Sequence, residues 1–223
     1  MKGLLFVCVL ILQPMFVLAQ NEANCLGLSN EPLVQAIRDG DLDKARTEIY
    51  LGAKLNTLNQ CGANPLWEAI RWNYTDFAME LMLYGSDPKF FDGGAEALMG
   101  AAYLCNTRMA KELLKRGVGV NSNANGVTPL MEAPSQRCKD GAMVQLLLDA
   151  GADPNTRSKD GFTALLAAAE VGDAVGAEKL LKSGADPAFK NKYGETAESQ
   201  SCDRGEHGHY LVCQLVRQAL HKQ

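Results

Sequence analysis

Histidine is scarce in this sequence, and positive charge is not in excess. Only three of the 223 residues are histidines, and all three lie at or after residue 207. A nucleophile–base–orienter triad needs a histidine beside a serine or cysteine, so the first nine-tenths of the chain offers no such triad. Lysine and arginine total 22 against 26 acidic residues, a net charge of −4. This balance argues against a general nucleic-acid binder, which would carry a basic face.

Other marks of catalysis are also missing. Gly117-Val118-Gly119 is too short for a phosphate-binding glycine loop. The best carboxylate pair, Glu68 and Glu132, falls at equivalent positions two repeats apart in the frame given below, or roughly 20 Å. Paired-carboxylate chemistry works below about 10 Å. We therefore expect a non-enzymatic protein with no cofactor and no metal.

Long apolar runs are confined to the N-terminus. Lys2 precedes nine apolar residues, Leu4 to Leu12, and Val17-Leu18-Ala19 offers short side chains at a signal-peptidase site. This pattern predicts a signal peptide over residues 1–19, followed by an N-terminal extension over 20–30. An uncleaved anchor is the alternative, but the run is short for about 30 Å of hydrocarbon. We expect export, to the periplasm if the cell has two membranes and otherwise to the medium, with no stable membrane insertion after cleavage.

Cleavage would leave 204 residues, a net charge of −5 and six cysteines. An even number of cysteines in an exported protein is typical of disulfide bonds. Six cysteines allow 15 pairings, and the number alone does not choose among them. Buried free thiols are the alternative.

Short motifs recur along the remainder of the chain. Gly126 to Ala133 reads GVTPLMEA and is followed by QLLLDAGADPN, while Gly161 to Ala169 reads GFTALLAAA and is followed by LLKSGADP. A position that is Thr in the clearest copies recurs every 32 to 35 residues, and so does a turn glycine. The start positions are Glu31, Asn64, Glu96, Thr128, Thr163 and Thr196. Because the start position and the turn glycine recur with the same period, the sequence resembles the ankyrin repeat over about residues 28–220.

The resemblance implies an all-α solenoid of about six helix-turn-helix repeats with projecting loops. Neighbouring repeats share one core, because no repeat is stable alone. We expect an ankyrin-repeat domain over 31–223. Its repeats cover about 31–57, 62–89, 94–122, 126–156, 161–190 and 194–220. In the fourth repeat, helical spacing of apolar residues favours helices within 128–139 and 143–150, with Gly151 ending the second.

The repeat frame suggests how the cysteines pair. Cys105 and Cys138 both end the first helix of consecutive repeats, and Cys202 and Cys213 lie on the two helices of the last repeat. Cys25 and Cys61 fall on the projecting-loop side. We therefore predict the disulfides 25–61, 105–138 and 202–213. A zinc site formed by Cys202, His207, His209 and Cys213 is a weaker alternative, because the spacing matches no common finger and an oxidising compartment would pair the two cysteines first. Helix-cap histidines that face water are the simpler explanation.

The resemblance also implies that the concave groove and the loops bind another protein. Candidate groove residues are Glu68, Arg71, Trp72, Tyr103 and Glu132, and candidate loop residues are Phe90, Phe91 and Tyr193. Exposed aromatic and arginine side chains are typical of binding hot spots. Ordinary packing is the alternative for each of them.

The partner is not identified by the residues. One hypothesis is a monomeric immunity-type inhibitor of a secreted toxin or effector enzyme. A second is a protective or scaffolding accessory protein for an envelope enzyme or for oxidative-stress resistance, and a third is a secreted effector directed at a host.

Overall fold

The described residues of the computed structural model form helices and turns. They are residues 32–58, 62, 64–90, 94–124, 126–135, 138, 140–202 and 207–222. Within these ranges there are twelve α-helices. Ala124 and Val127 form an isolated antiparallel β-bridge. The all-α fold class predicted from the repeats is confirmed. The predicted signal peptide and N-terminal extension lie outside the described residues.

The chain divides into two compact bodies, Met1–Phe91 and Asp92–Gln223. The N-terminal body contains two helix pairs. Its helices are α1 (Pro32–Arg38), α2 (Leu42–Tyr50), α3 (Pro65–Arg71) and α4 (Thr75–Leu83). Helix α1 packs against both α2 and α3, and α3 packs against α4. The first helices of the two pairs therefore stack on each other, as expected for consecutive repeats.

The C-terminal body contains four helix pairs. Its helices are α5 (Ala95–Tyr103), α6 (Thr107–Lys115), α7 (Pro129–Glu132), α8 (Ala142–Asp149), α9 (Ala164–Val171), α10 (Ala174–Lys182), α11 (Ala197–Cys202) and α12 (His207–Leu220). The first helices stack in the order α5, α7, α9, α11, and the second helices stack in the order α6, α8, α10, α12. This body is thus two parallel rows of helices with the core between them.

The tight turn between paired helices has a recurrent backbone signature. One residue takes a left-handed conformation, and the next caps the second helix. The left-handed residues are Gly40 (φ 75°), Asn73 (φ 60°), Cys105 (φ 56°) and Gly172 (φ 69°). The caps whose side chains accept a backbone N–H are Asp41, Asn106 and Asp173. Short polar side chains at this position satisfy donors that the first turn of a helix leaves unpaired.

Helix α7 is much shorter than the sequence periodicity indicates. Apolar spacing favours a helix within residues 128–139, but the helix ends at Glu132. Pro134 explains the difference, because it has no N–H to donate to the carbonyl oxygen of Leu130 and so cannot continue the helical hydrogen bonds. The described residues between α7 and α8, namely 133–135, 138 and 140–141, consequently lie outside helices.

Candidate protein-interaction surfaces

An exposed tryptophan lies at the end of α3 in the N-terminal body. The side chain of Trp72 is 48% exposed. The guanidinium carbon of Arg71 lies 5.9 Å from the centre of the Trp72 ring and 5.3 Å from the centre of the Trp67 ring. These distances are those of cation–π contacts, which favour this arrangement of the three side chains.

A buried carboxylate lies beneath this tryptophan. Glu68 is fully buried, and its Oε1 atom accepts hydrogen bonds from Nε of Arg38 at 3.0 Å and from Nη2 at 2.6 Å. Its Oε2 atom accepts the indole N–H of Trp72 at 3.2 Å. Because Glu68 and Trp72 are four residues apart at the end of a helix, the two side chains lie on one face. Glu68 therefore orients Trp72 and has no surface to offer a partner, in contrast to its prediction as a direct binding residue.

Glu132 is the corresponding residue of the C-terminal body, at the end of α7. It is 8% exposed, and burial raises the pKa of its carboxyl to about 8. No hydrogen bond to that carboxyl is found in the part of the chain that the structure describes. Burial thus favours the protonated form of Glu132, whereas the buried carboxylate of Glu68 is paired with an arginine.

The remaining predicted residues lie in several places. Tyr103 is half-buried at the end of α5, which packs against α7. Tyr193 is 57% exposed in the loop before α11, where the ammonium group of Lys192 lies 4.9 Å from its ring centre. Phe90 is 42% exposed near the end of the N-terminal body, and Phe91 lies outside the described residues. The structure thus brings Glu68, Arg71 and Trp72 together in one body, and Tyr103 and Glu132 lie on adjacent helices of the other.

Sequence reasoning missed a second exposed apolar surface in the N-terminal body. It consists of the residues that end α2 and α4 and begin the turns that follow. These are Tyr50 (90% exposed), Leu51 (71%), Leu83 (79%) and Tyr84 (58%). The equivalent residues of the third repeat are Lys115 and Arg116. An alignment of the repeats would therefore have shown that the first two are apolar at positions where the third is charged. Clustered exposed apolar side chains are typical of interaction surfaces.

Two of the three predicted disulfides lie in the described residues. Cys105 is bonded to Cys138 and Cys202 to Cys213, with Cα–Cα distances of 5.6 and 5.0 Å. These distances are normal for disulfides. Cys25 and Cys61 lie outside the described residues, so their pairing stays a prediction.

The histidines of the last repeat do not all face water. His209 is 5% exposed, and its Nε2 atom lies 2.9 Å from the carbonyl oxygen of Glu170, to which it donates. The expectation of exposed cap histidines is therefore wrong for His209, because α12 packs this residue against the end of α9. The sulfur atoms of Cys202 and Cys213 are bonded to each other and are unavailable as thiolate ligands for zinc. Across the described ranges, no group of three or more histidine, cysteine, aspartate and glutamate residues could hold a metal ion.

Comparison with known proteins identifies the same repeats. The sequence model of a family described as ankyrin repeats matches three times, at residues 33–122, 76–156 and 135–220. A Treponema pallidum (strain Nichols) protein described as ankyrin repeat-containing is 38% identical over 137 residues. The match covers 60% of this chain and 45% of that protein, so the chain spans under half of its relative's length. Within the described residues, no helix is both long and apolar enough to cross a membrane.

Proposed function

Because the chain belongs to the ankyrin-repeat family, whose stacked helix pairs form protein-binding modules, we propose that it is an exported, non-catalytic protein. It binds a partner protein through the surface formed by Trp67, Arg71 and Trp72. The observation that carries this proposal is the half-exposed Trp72, whose indole N–H is fixed by the buried carboxylate of Glu68.

The chemistry of this surface suits a binding hot spot. Tryptophan and arginine are the residues most enriched at hot spots, where a few side chains supply most of the affinity. A side chain that is already ordered loses less conformational entropy when a partner covers it. The two hydrogen bonds from Arg38 to Glu68 and the stacking of Arg71 supply that order in the free protein.

Export is supported by the signal-like segment at residues 1–19 and by the two disulfides. Disulfides persist in oxidising compartments and are rare in the cytosol. The mature protein is then a monomer of the periplasm or, in a cell with one membrane, of the medium. N-terminal sequencing of the protein from the cell envelope or the medium should begin at Gln20, whereas a start at Met1 would contradict cleavage.

The biological role that we propose is an immunity-type inhibitor of a secreted toxin or effector enzyme. A protective or scaffolding accessory protein is the alternative, and the two roles differ in phenotype. Loss of an inhibitor should be lethal only beside toxin-producing siblings. Loss of a protective protein should sensitise a pure culture to oxidants.

The binding surface is tested with one variant and a matched control. The mature protein is used to capture a partner from the cell envelope of its own organism, and the affinity for the purified partner is then measured by calorimetry. Trp72→Ala should weaken binding by about thirtyfold, the size of a hot-spot effect. Tyr210→Ala removes a 55% exposed aromatic side chain from α12, which belongs to neither candidate surface, and should change the affinity less than twofold. Equal effects of the two variants would refute the assignment.

A further inference from the structure

A buried carboxyl recurs at one position of the repeat frame, but only one copy has a cation. In the N-terminal body, Glu68 lies at the fourth residue after the start position Asn64. Arg38, at the seventh residue after the preceding start position, reaches it across the stacked helices α1 and α3. The carboxylate of the second repeat is thus neutralised by the first.

The same two positions recur in the C-terminal body. Glu132 lies four residues after Thr128, and Tyr103 lies seven residues after Glu96. Helix α5 packs against α7, just as α1 packs against α3. Tyr103 therefore occupies the place that Arg38 has in the other body, and a phenol supplies no positive charge to the carboxyl.

Glu132 is largely buried but keeps some access to solvent. More than nine-tenths of the residue is covered, and no hydrogen bond to its carboxyl is found within the described ranges. Neither oxygen of Glu132 is among the fully buried side-chain atoms without a partner, so the carboxyl still touches solvent. The remaining 8% exposure leaves a route from solvent. These features are those of a site completed by a group from another molecule.

We propose that the C-terminal body binds an arginine side chain of its partner protein at Glu132, where the partner supplies the cation that Arg38 supplies to Glu68. This inference rests on the proposed protein-binding function and adds the chemistry of one contact. Arginine fits better than lysine for two reasons. Its planar guanidinium makes paired hydrogen bonds to a carboxylate, and it stacks on aromatic rings such as that of Tyr103.

The first test uses short peptides and needs no knowledge of the partner. Acetyl-Ala-Arg-Ala-amide is titrated into the mature protein and compared with the same peptide containing citrulline, which has the shape of arginine without its charge. NMR should show the Glu132 side-chain carboxyl signal moving with the arginine peptide, with an affinity on the order of millimolar because one contact is made. The citrulline peptide should bind at least tenfold more weakly.

Two variants show whether the carboxyl is responsible. Glu132→Gln should weaken binding of the arginine peptide at least tenfold. Glu178→Gln removes an exposed carboxylate of the same body, which pairs with Lys182, and should leave binding unchanged. Equal binding of both peptides, or equal binding by both variants, would overturn the proposal.

The second test supplies the cation within the chain. Tyr103→Arg should raise the melting temperature at pH 8 by several degrees and should block binding of the arginine peptide, because the new side chain occupies the site. Tyr103→Gln, with no charge, should do neither. If Tyr103→Arg still binds the peptide as the wild type does, the site is wrongly placed.

The outcome also separates this inference from the proposed function. If the wild-type protein captures a partner but Glu132→Gln keeps full affinity for it and the peptides do not bind, only the arginine site fails. If arginine binds at Glu132 and Trp72→Ala has no effect on the partner, the surface around Trp72 fails instead.

Discussion

Single residues account for the difference between the two buried glutamates. Glu68 is fully buried and is bonded by Arg38, whose own side chain is 15% exposed. A buried ion pair of this kind contributes little net stability, but removal of one partner leaves a buried charge without compensation. The arrangement is better understood as a support for Trp72 than as a source of stability.

Loss of the Arg38 side chain alone should therefore destabilise the fold. We expect Arg38→Met to lower the free energy of unfolding by about 2 kcal/mol, because the buried Glu68 would lose two charge-assisted hydrogen bonds and keep only the more distant Arg71, 4.0 Å from its Oε1. The double variant Arg38→Met with Glu68→Met should recover most of that loss. Urea unfolding measures both, and a double variant as unstable as the single one would contradict this explanation.

Glu132 should make stability depend on pH. Its pKa in the folded protein is about 8, raised from 4.5 by burial, so the folded state holds the proton more tightly than the unfolded state does. Stability of the wild type should then fall as pH rises from about 4.5 to about 8. Glu132→Gln does not titrate, so its advantage over the wild type should grow by about 1.4 kcal/mol per pH unit in that window. Urea unfolding at pH 5, 6.5 and 8 measures the difference, and a constant difference would show that Glu132 is not buried as described.

At the scale of elements, the turn between paired helices determines where each second helix begins. A left-handed residue reverses the chain, and Asp41, Asn106 or Asp173 then caps the next helix. Cys105 takes the left-handed conformation with a side chain that disfavours it, and its disulfide to Cys138 keeps that turn beside the next repeat. The pairing of helices is thus specified locally, once in each repeat.

The last helix approaches the preceding repeat at a glycine. A Cβ atom added to Gly208 would lie 2.5 Å from the carbonyl oxygen of Gly172. We expect Gly208→Ala to destabilise the fold by about 2–3 kcal/mol, because backbone atoms at the end of α9 would have to move. Gly184→Ala is the control. Its added methyl group meets no atom within 4 Å, so only the strain of its φ of +87° remains, at about 1 kcal/mol. Thermal unfolding compares the two, and equal losses would show that α12 does not approach α9 this closely.

The sequence predicted the elements better than the contacts of the candidate site. Helix pairs and turn glycines follow from local spacing, and the disulfides of Cys105 and Cys202 followed once the repeat frame was known. The short α7 was predictable from Pro134. The burial of Glu68 was not, because its partner Arg38 is 30 residues away and no local pattern joins them. The burial of His209 likewise depends on packing between helices.

At the scale of the molecule, repeats of one type build both compact bodies. The clearest repeats, the fourth and fifth, lie in the C-terminal body, and the partly apolar turns of Tyr50 and Tyr84 lie in the N-terminal body. Because each helix pair gains its core from its neighbours, damage to one pair should spread to the next. Covalent links across or within repeats oppose that loss.

Reduction of the disulfides should accordingly weaken the whole C-terminal body. Each link contributes about 2–4 kcal/mol, so a reducing agent should lower the melting temperature by several degrees. A variant with serine at residues 105, 138, 202 and 213 should melt at a lower temperature and respond less to the reductant. Any remaining response would come from Cys25 and Cys61. An unchanged melting temperature of the wild type on reduction would refute the stabilising role.

The central claim is that the surface around Trp72 binds another protein. The chain has two tryptophans, Trp67 and Trp72, and both belong to this surface. Two-dimensional NMR of their indole N–H groups therefore observes the surface directly when a captured partner is added. We predict that the Trp72 indole signal shifts and becomes shielded from a soluble paramagnetic probe. Formation of the complex with both indole signals unchanged would contradict the account.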